Sequence, residues 1–324
     1  MTNDFWNARP VLITGISGFL GAWLARTLVD RKAQVVGLDQ DPAGALALHP
    51  DLEEQVTVVP GNVCSVDDVA RALDQSGART CFHLAGQSII DPNGRSPLTT
   101  FETNVAGTWA TLEAVRRAGD RIEGTVVASS NHVYGEHADS PFDEEFPLHG
   151  TNPYAASKVC ADAVSRCFAA TYQLPVVVAR NTNTYGGADP HDSHIVTASI
   201  LSILRGRAPQ IFSDGTPVKS YLYVKDTISG YLTLGQHASR DDVRGRAFNL
   251  CTDAPISVLD LVWTIIRAAG VDNLEPDVHG SSGQPAEKEF LSNKRAKAVL
   301  GWVPEYSVED GIRETFGWYQ ARHQ

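Results

Sequence analysis

A chain of 324 residues with a net charge of −11 has room for one large domain or two smaller ones and disfavours nucleic acid as a partner. Its 43% hydrophobic and 20% charged residues are ordinary for a globular protein, and no apolar run is long enough to span a bilayer. Five cysteines, at 64, 81, 160, 167 and 251, lack paired spacing, which fits a reduced cytoplasmic chain better than a disulfide framework or a zinc site. The polar first residues, without a basic segment, give no expectation of a signal peptide.

In chain order, a first strand is expected over 11–14. Gly15, Gly18 and Gly21 follow it and open a helix over 19–30. In that context Gly15 permits a tight turn, Gly18 lets the backbone approach a pyrophosphate, and Gly21 allows close helix–strand packing. The helix N-terminus, through Phe19, Leu20 and Gly21, then offers amides to phosphate. A second strand over 35–38 leads to Asp39, whose carboxylate can accept from the ribose hydroxyls of NAD and repel the 2′-phosphate of NADP. Asp41 is the near alternative. A third strand over 56–59 ends at Asn62 and Val63, expected at the adenine edge. A helix over 66–75 and a fourth strand over 80–84 follow. Leu84, Ala85 and Gly86 leave room for the cofactor backbone, whereas His83 reads as a structural histidine. A helix over 99–118 carries Asn104, with Thr108 and Glu113 on its outer face. The fifth strand, 125–128, ends at Ser129 and Ser130.

A helix over 154–171 begins after Asn152-Pro153, a helix-start signal. Positions i and i+4 share a helix face, so Tyr154 and Lys158 can point at one site. A lysine cation near a phenol lowers its pKa, and a poised phenol can exchange a proton with a sugar or alcohol hydroxyl. After a sixth strand over 175–179 the pattern loosens into short helices and loops. The alternation of strands and helices implies an α/β fold with a doubly wound parallel sheet of Rossmann type. Residues 1–180 are expected to hold NAD. Residues 181–324 are expected to form a smaller substrate domain interleaved with the first.

The chain resembles the extended short-chain dehydrogenase/reductases that modify nucleotide sugars. The motifs that carry the resemblance are Thr14-Gly15-x-x-Gly18-Phe19-x-Gly21, His83-Leu84-Ala85, Ser129-Ser130-x-x-Val133-Tyr134-Gly135, Pro153-Tyr154-x-x-Ser157-Lys158, Arg180-x-x-Asn183-x-Tyr185-Gly186 and Leu300-Gly301-Trp302-x-Pro304. Within that family it looks most like the CDP-glucose 4,6-dehydratases. The resemblance implies that Ser130, Tyr154 and Lys158 form the catalytic triad and that NAD⁺ oxidises a hexose C4 hydroxyl. It also implies a homodimer, paired through the helices that carry Trp109, Val115, Val164 and Phe168.

Two departures matter. Where the dehydratases carry Asp followed by Glu or Lys, this chain has Asn131 and His132. Asn cannot donate a proton as an acid does, whereas His132 can act as a base near neutral pH. Where the family often carries arginine at the phosphates, this chain has His194, Lys219 and Gln284. Ser88, Asn131 and Asn183 complete the expected substrate contacts. The leading expectation is an NAD-dependent nucleotide-sugar epimerase. A 4,6-dehydratase, a 4-keto-sugar reductase and a non-catalytic NAD-binding regulator are the alternatives.

Overall fold

A computed structural model describes residues 4–41, 45–87, 96–135, 140–280 and 288–323. Six short runs form parallel strands: β1 Pro10–Thr14, β2 Gln34–Asp39, β3 Thr57–Pro60, β4 Thr80–His83, β5 Gly124–Ala128 and β6 Val176–Asn181. Most of their residues are buried, as expected for strands covered on both faces. Alternation along β1 feeds two cores. Val11 and Ile13 join Trp6, Leu24 and Phe82 on one side, and Leu12 joins Leu38, Leu73 and Leu112 on the other.

The later strands are short: β7 Asn183–Tyr185, β8 Gln210–Ile211, β9 Val218–Lys219, β10 Tyr221–Tyr223, β11 Ala247–Leu250, β12 Ile256–Ser257, β13 Asp277–Val278 and β14 Lys288–Glu289. One of them was not expected in the main sheet. β11 lies beside β6, in register from Ala247 opposite Val178, and gives a seven-stranded sheet of order β11-β6-β5-β4-β1-β2-β3. The others pair as β10-β7, β12-β9-β14 and β13-β8. The strand order reverses between β1 and β4, and the crevice at their carboxyl ends is where such sheets bind ligands.

The helices are α1 Phe19–Asp30, α2 Pro50–Glu53, α3 Val66–Ser76, α4 Pro97–Phe101, α5 Gly107–Ala118, α6 Pro153–Tyr172, α7 Ile195–Leu204, α8 Val224–His237, α9 Val258–Ala269 and α10 Val308–Gln320. Asn152 starts α6: its Oδ1 accepts the Ala155 amide at 2.9 Å, and Pro153 fills the first turn, where no amide is needed. This cap sets the rotation of Tyr154 and Lys158 about the helix axis.

The helix expected over 99–118 is broken. A π-helical turn, Glu102–Ala106, separates α4 from α5. The turn turns Asn104 inward, where its amide donates to the Gln87 carbonyl and to Ser157 Oγ while Oδ1 accepts the Gln87 amide. Polar partners for one inward residue, rather than apolar periodicity, decide the geometry here. Thr108 is also not on an outer face. It is buried and hydrogen-bonds His83 Nε2.

Candidate functional site

The glycine loop closes on itself before α1 begins. Gly15 has φ +73° and donates to the Leu38 carbonyl, and Gly18 donates to the Gly15 carbonyl. A Cβ on Gly15 would sit 2.7 Å from Ala85, and one on Gly21 would sit 2.1 Å from the Gly15 carbonyl oxygen. Only glycine fits either place. Helix α1 carries no side-chain cap, so its first amides remain for a ligand.

A cavity of about 320 Å³ runs from this loop past Leu84, Gly86 and Gln87 to Ala128, Ser129, Tyr154 and Lys158. Gly18, Phe19, Leu20 and Gly21 line it as expected. Gly86 owes its place to crowding, since a Cβ there would meet Asn104 Oδ1 at 2.9 Å and Lys158 Nζ at 3.4 Å. The buried Oγ atoms of Ser17 and Ser129 have no hydrogen-bond partner among the described residues. Glycine-only backbone, free helix amides and the unpartnered Ser129 hydroxyl on the cavity wall fit a dinucleotide.

Other expected cofactor residues sit at the margin. Asp39 Oδ2 accepts the Ser17 amide at 2.9 Å and Oδ1 accepts the Asp41 amide at 3.2 Å, so the carboxylate braces the glycine loop as well as ending β2. Asn62 accepts the Cys64 amide within its own turn, and Val63 packs against Gly107. Asn104 lies behind Gln87 and outside the cavity wall. His83 is structural: it bonds Thr14 and Thr108, and burial first, then the Lys158 charge, pushes its pKa down to about 3.

Ser130, His132, Tyr154 and Lys158 come together at the end of β5 and the start of α6. Burial raises the Tyr154 phenol, and a hydrogen bond to Ser130 partly offsets the rise. The lysine does not lower the phenol as the i, i+4 spacing suggested. Its Nζ donates instead to the Ala128 carbonyl at 2.8 Å, and burial brings its own pKa down to about 8. That carbonyl ends β5 and offers the ammonium a fixed acceptor, while the phenol is engaged with Ser130. Ser130 caps the 3₁₀ turn Asn131–Tyr134 by accepting the His132 amide at 3.2 Å. The His132 ring meets Tyr154 edge-on, with centroids 5.8 Å apart.

A second cavity of about 330 Å³ adjoins the first and shares Tyr154, Asn181, Thr184 and His194 with it. Ser130, Asn131, His132, Asn183 and Lys219 line it, as expected for the substrate side. Ser88 and Gln284 lie outside the described residues. His194 Nδ1 is 2.6 Å from Asp189 Oδ2, so an anion would meet this imidazole already paired.

One buried carboxylate here was not expected from the sequence. Glu289, on β14, accepts Asn131 Nδ2 at 2.5 Å on Oε1 and Lys219 Nζ at 3.1 Å on Oε2. A two-residue strand carries no periodicity that could have revealed it. Asn181, Thr184 and Asp189 also line the site; Asp189 belongs to the Gly186-Gly187-x-Asp189 run that resembles the CDP-glucose 4,6-dehydratases, whereas Asn181 and Thr184 lacked a signal beyond their proximity to Arg180 and Asn183.

The family profile described as GDP-mannose 4,6 dehydratase matches residues 12–315. The UDP-glucose 4-epimerase of Mycolicibacterium smegmatis is 30% identical over 317 residues, covering 97% of this chain and 99% of that one. The solved structure of UDP-glucose 4-epimerase from Thermotoga maritima, with UDP-glucose, is similar at a TM-score of 0.86 and 25% identity, covering 97% and 99% of the two chains. The dTDP-glucose 4,6-dehydratase of Streptomyces venezuelae, solved with NAD bound, gives a TM-score of 0.83 at 25% identity, covering 96% and 97%.

Proposed function

The chain belongs to the GDP-mannose 4,6 dehydratase family of NAD-dependent nucleotide-sugar epimerases and dehydratases, and we propose that within it this enzyme inverts C4 of a nucleotide-activated hexose rather than removing water from it. One observation carries the choice. Position 131, where elimination would want a proton donor, is an amide whose Nδ2 is committed to Glu289 at 2.5 Å. Loss of water needs a donor for the departing C6 hydroxyl as well as a base for the C5 proton. Inversion needs neither.

Residues 1–180 hold NAD in this reading, and 181–324 bind the nucleotide sugar, with β11 interleaving the two. Gly15, Gly18 and Gly21 would admit the pyrophosphate to the start of α1, and Ser129 Oγ and Lys158 would face the nicotinamide end. When bound, NAD accepts and returns the hydride. Tyr154 takes the C4 hydroxyl proton, and Ser130 holds that hydroxyl toward the phenol. Lys158, buried beside Gly86 and held by the Ala128 carbonyl, supplies positive charge at the nicotinamide end of the cavity. The two adjoining cavities would give the oxidised sugar room to present the other face of C4 to the nicotinamide end, and Tyr154 would return its proton to the C4 oxygen. Lys219, His194 and Asn183 would meet the diphosphate and its nucleoside.

Incubation with UDP-, CDP-, GDP- and dTDP-hexoses, followed by NMR, tests the reaction. The expected product shows an inverted C4 proton coupling. A new C6 methyl signal, from a 4-keto-6-deoxy sugar, would establish dehydration instead.

Cofactor preference follows from Asp39. Its carboxylate keeps acceptor capacity beyond the Ser17 and Asp41 amides, and a 2′-phosphate on a ribose bound at the end of β2 would meet that negative charge. Calorimetric titration is expected to show NAD binding tighter than NADP by about tenfold or more, equal to about 1.4 kcal/mol. Equal affinities would remove this role from Asp39.

We further propose a homodimer in the cytoplasm. Leu98, Phe101, Trp109 and Tyr172 are exposed large apolar residues on α4, α5 and α6, whereas Val115, on the same stretch, is wholly buried against the sheet. Clustered exposed apolar side chains mark an interaction surface. The five cysteines are all unpaired, as in a reducing compartment. Among the described residues no helix is long and apolar enough to cross a membrane. Light scattering at micromolar concentration is expected to give twice the 35.0 kDa chain mass, and Trp109→Arg to give the monomer.

A further inference from the structure

We propose that Glu289 sets the sugar specificity of the second cavity, admitting a neutral hexose and excluding a nucleotide sugar whose C6 is a carboxylate. The proposal rests on the reading of that cavity as the sugar site, with position 131 toward C6.

Strand pairing brings the carboxylate into place. β14 runs parallel to β9, and their register sets Glu289 opposite Lys219. Glu289 is buried, and Lys219 Nζ donates to its Oε2 at 3.1 Å. Asn131 Nδ2, from the turn after β5, donates to its Oε1 at 2.5 Å. Asn131 and Lys219 line the cavity, with Glu289 behind them. Each basic side chain among the described lining residues already faces a carboxylate. Lys219 and His132 face Glu289, and His194 faces Asp189.

A carboxylate has no hydrogen to give, so the Asn131 amide can only turn Nδ2 toward it. Oδ1 is thereby left toward Ser130, whose Oγ donates to it at 3.3 Å. Beside the hydroxyl that holds C4, this wall presents an acceptor. An acceptor suits a C6 hydroxyl and repels a C6 carboxylate. Lys219 does not reverse the preference. Glu289 answers its charge, and the diphosphate would draw on the donors that remain. A sugar carboxylate would thus meet spent donors and a buried charge of its own sign, and like charges placed together are costly. A Glu289 that merely tied β9 and β14 to the turn would be replaced best by glutamine, which keeps the length. Aspartate, which keeps the charge and shortens the reach, would be the worse substitute. A role in specificity reverses that order.

That contrast gives the test. UDP-glucose and UDP-glucuronic acid differ only at C6, so the nucleotide cancels from their affinity ratio. Calorimetry on the NAD-loaded protein reads the ratio without turnover. The unmutated protein is expected to prefer UDP-glucose by about tenfold or more. Glu289→Gln is expected to shrink the preference by about tenfold, with the thermal unfolding midpoint little changed. The charge is then gone, Lys219 is released, and the Asn131 amide can turn its donor to the cavity. Glu289→Asp is expected to keep most of the preference. Equal affinities in the unmutated protein, or a preference that survives Glu289→Gln, would overturn the proposal. If Glu289→Gln does not fold, the unmutated protein and Glu289→Asp decide, and loss of the preference in Glu289→Asp would overturn it. Should UDP sugars not bind, dTDP-glucose and dTDP-glucuronic acid give the same ratio, and binding of neither pair would remove the sugar site and the proposal together. A 4-keto-6-deoxy product with the expected ratio would count against the proposed inversion alone. Inversion with a ratio that Glu289→Gln leaves in place would count against this proposal alone.

Discussion

Tyr154→Phe is expected to lower turnover by about 10²–10⁴-fold while NAD binding stays within a few-fold. The substitution removes one oxygen and keeps the ring that packs against His132 and lines both cavities. The phenol stands at the junction of those cavities, with Ser130 as its hydrogen-bond partner, where it can exchange a proton with a bound hydroxyl. Lys158→Met is expected to weaken turnover and NAD binding together, because its buried ammonium lies beside Gly86 in the cavity that runs from the glycine loop. With a pKa brought down to about 8 by burial, Lys158 is charged at neutral pH and loses that charge as the pH rises through 8. Single-turnover kinetics and calorimetry on both variants separate the two effects. Near-normal turnover by Tyr154→Phe would remove the mechanism proposed here.

The largest loss of stability is expected from Arg180→Met. Arg180 is fully buried, and its Nε and Nη2 donate to the two oxygens of buried Asp162 at 2.8 and 3.1 Å. Its Nη1 donates to Tyr134 Oη and to the Glu144 carbonyl. Methionine fills much of the same volume but leaves Asp162 buried with, among the described residues, only Arg166, at 3.8 Å and half-exposed, to answer it. Breaking a buried pair on one side typically costs about 3–5 kcal/mol. Urea denaturation should report that loss. The double variant Arg180→Met with Asp162→Leu is expected to recover part of it, since both charges are then gone. A single-variant loss below about 1 kcal/mol would show that water or another cation reaches Asp162.

The parallel sheet was legible because β1, β2, β4 and β5 are short, largely apolar runs most of whose residues are buried, and burial leaves the same mark on sequence and structure. The glycine loop was legible because a Cβ at Gly15 or Gly21 collides with backbone, so no other residue can stand there. Tyr154 and Lys158 were legible through helical spacing, which fixes a shared face. Spacing does not fix what a flexible side chain bonds to, and Lys158 found the Ala128 carbonyl. β11 was missed because it is a four-residue strand deep in the loop-rich half, recruited to the sheet by pairing with β6 rather than by its own pattern. Glu289 was missed for a related reason. Its place depends on where β14 lies against β9, and nothing local to Lys288-Glu289 encodes that.

The placement of β11 has a consequence for how the chain is made. Until residues 247–250 leave the ribosome, β6 has no neighbour on its outer side, and its backbone groups there are open to pairing with another chain. Every residue of the segment between β6 and β11 must therefore be synthesised while the seven-stranded sheet is still incomplete. Contacts that span such a length close slowly and leave partly folded chains exposed to aggregation. The cell's handling of this protein thus hinges on a delay set by chain connectivity, and no substitution in the cleft would shorten it.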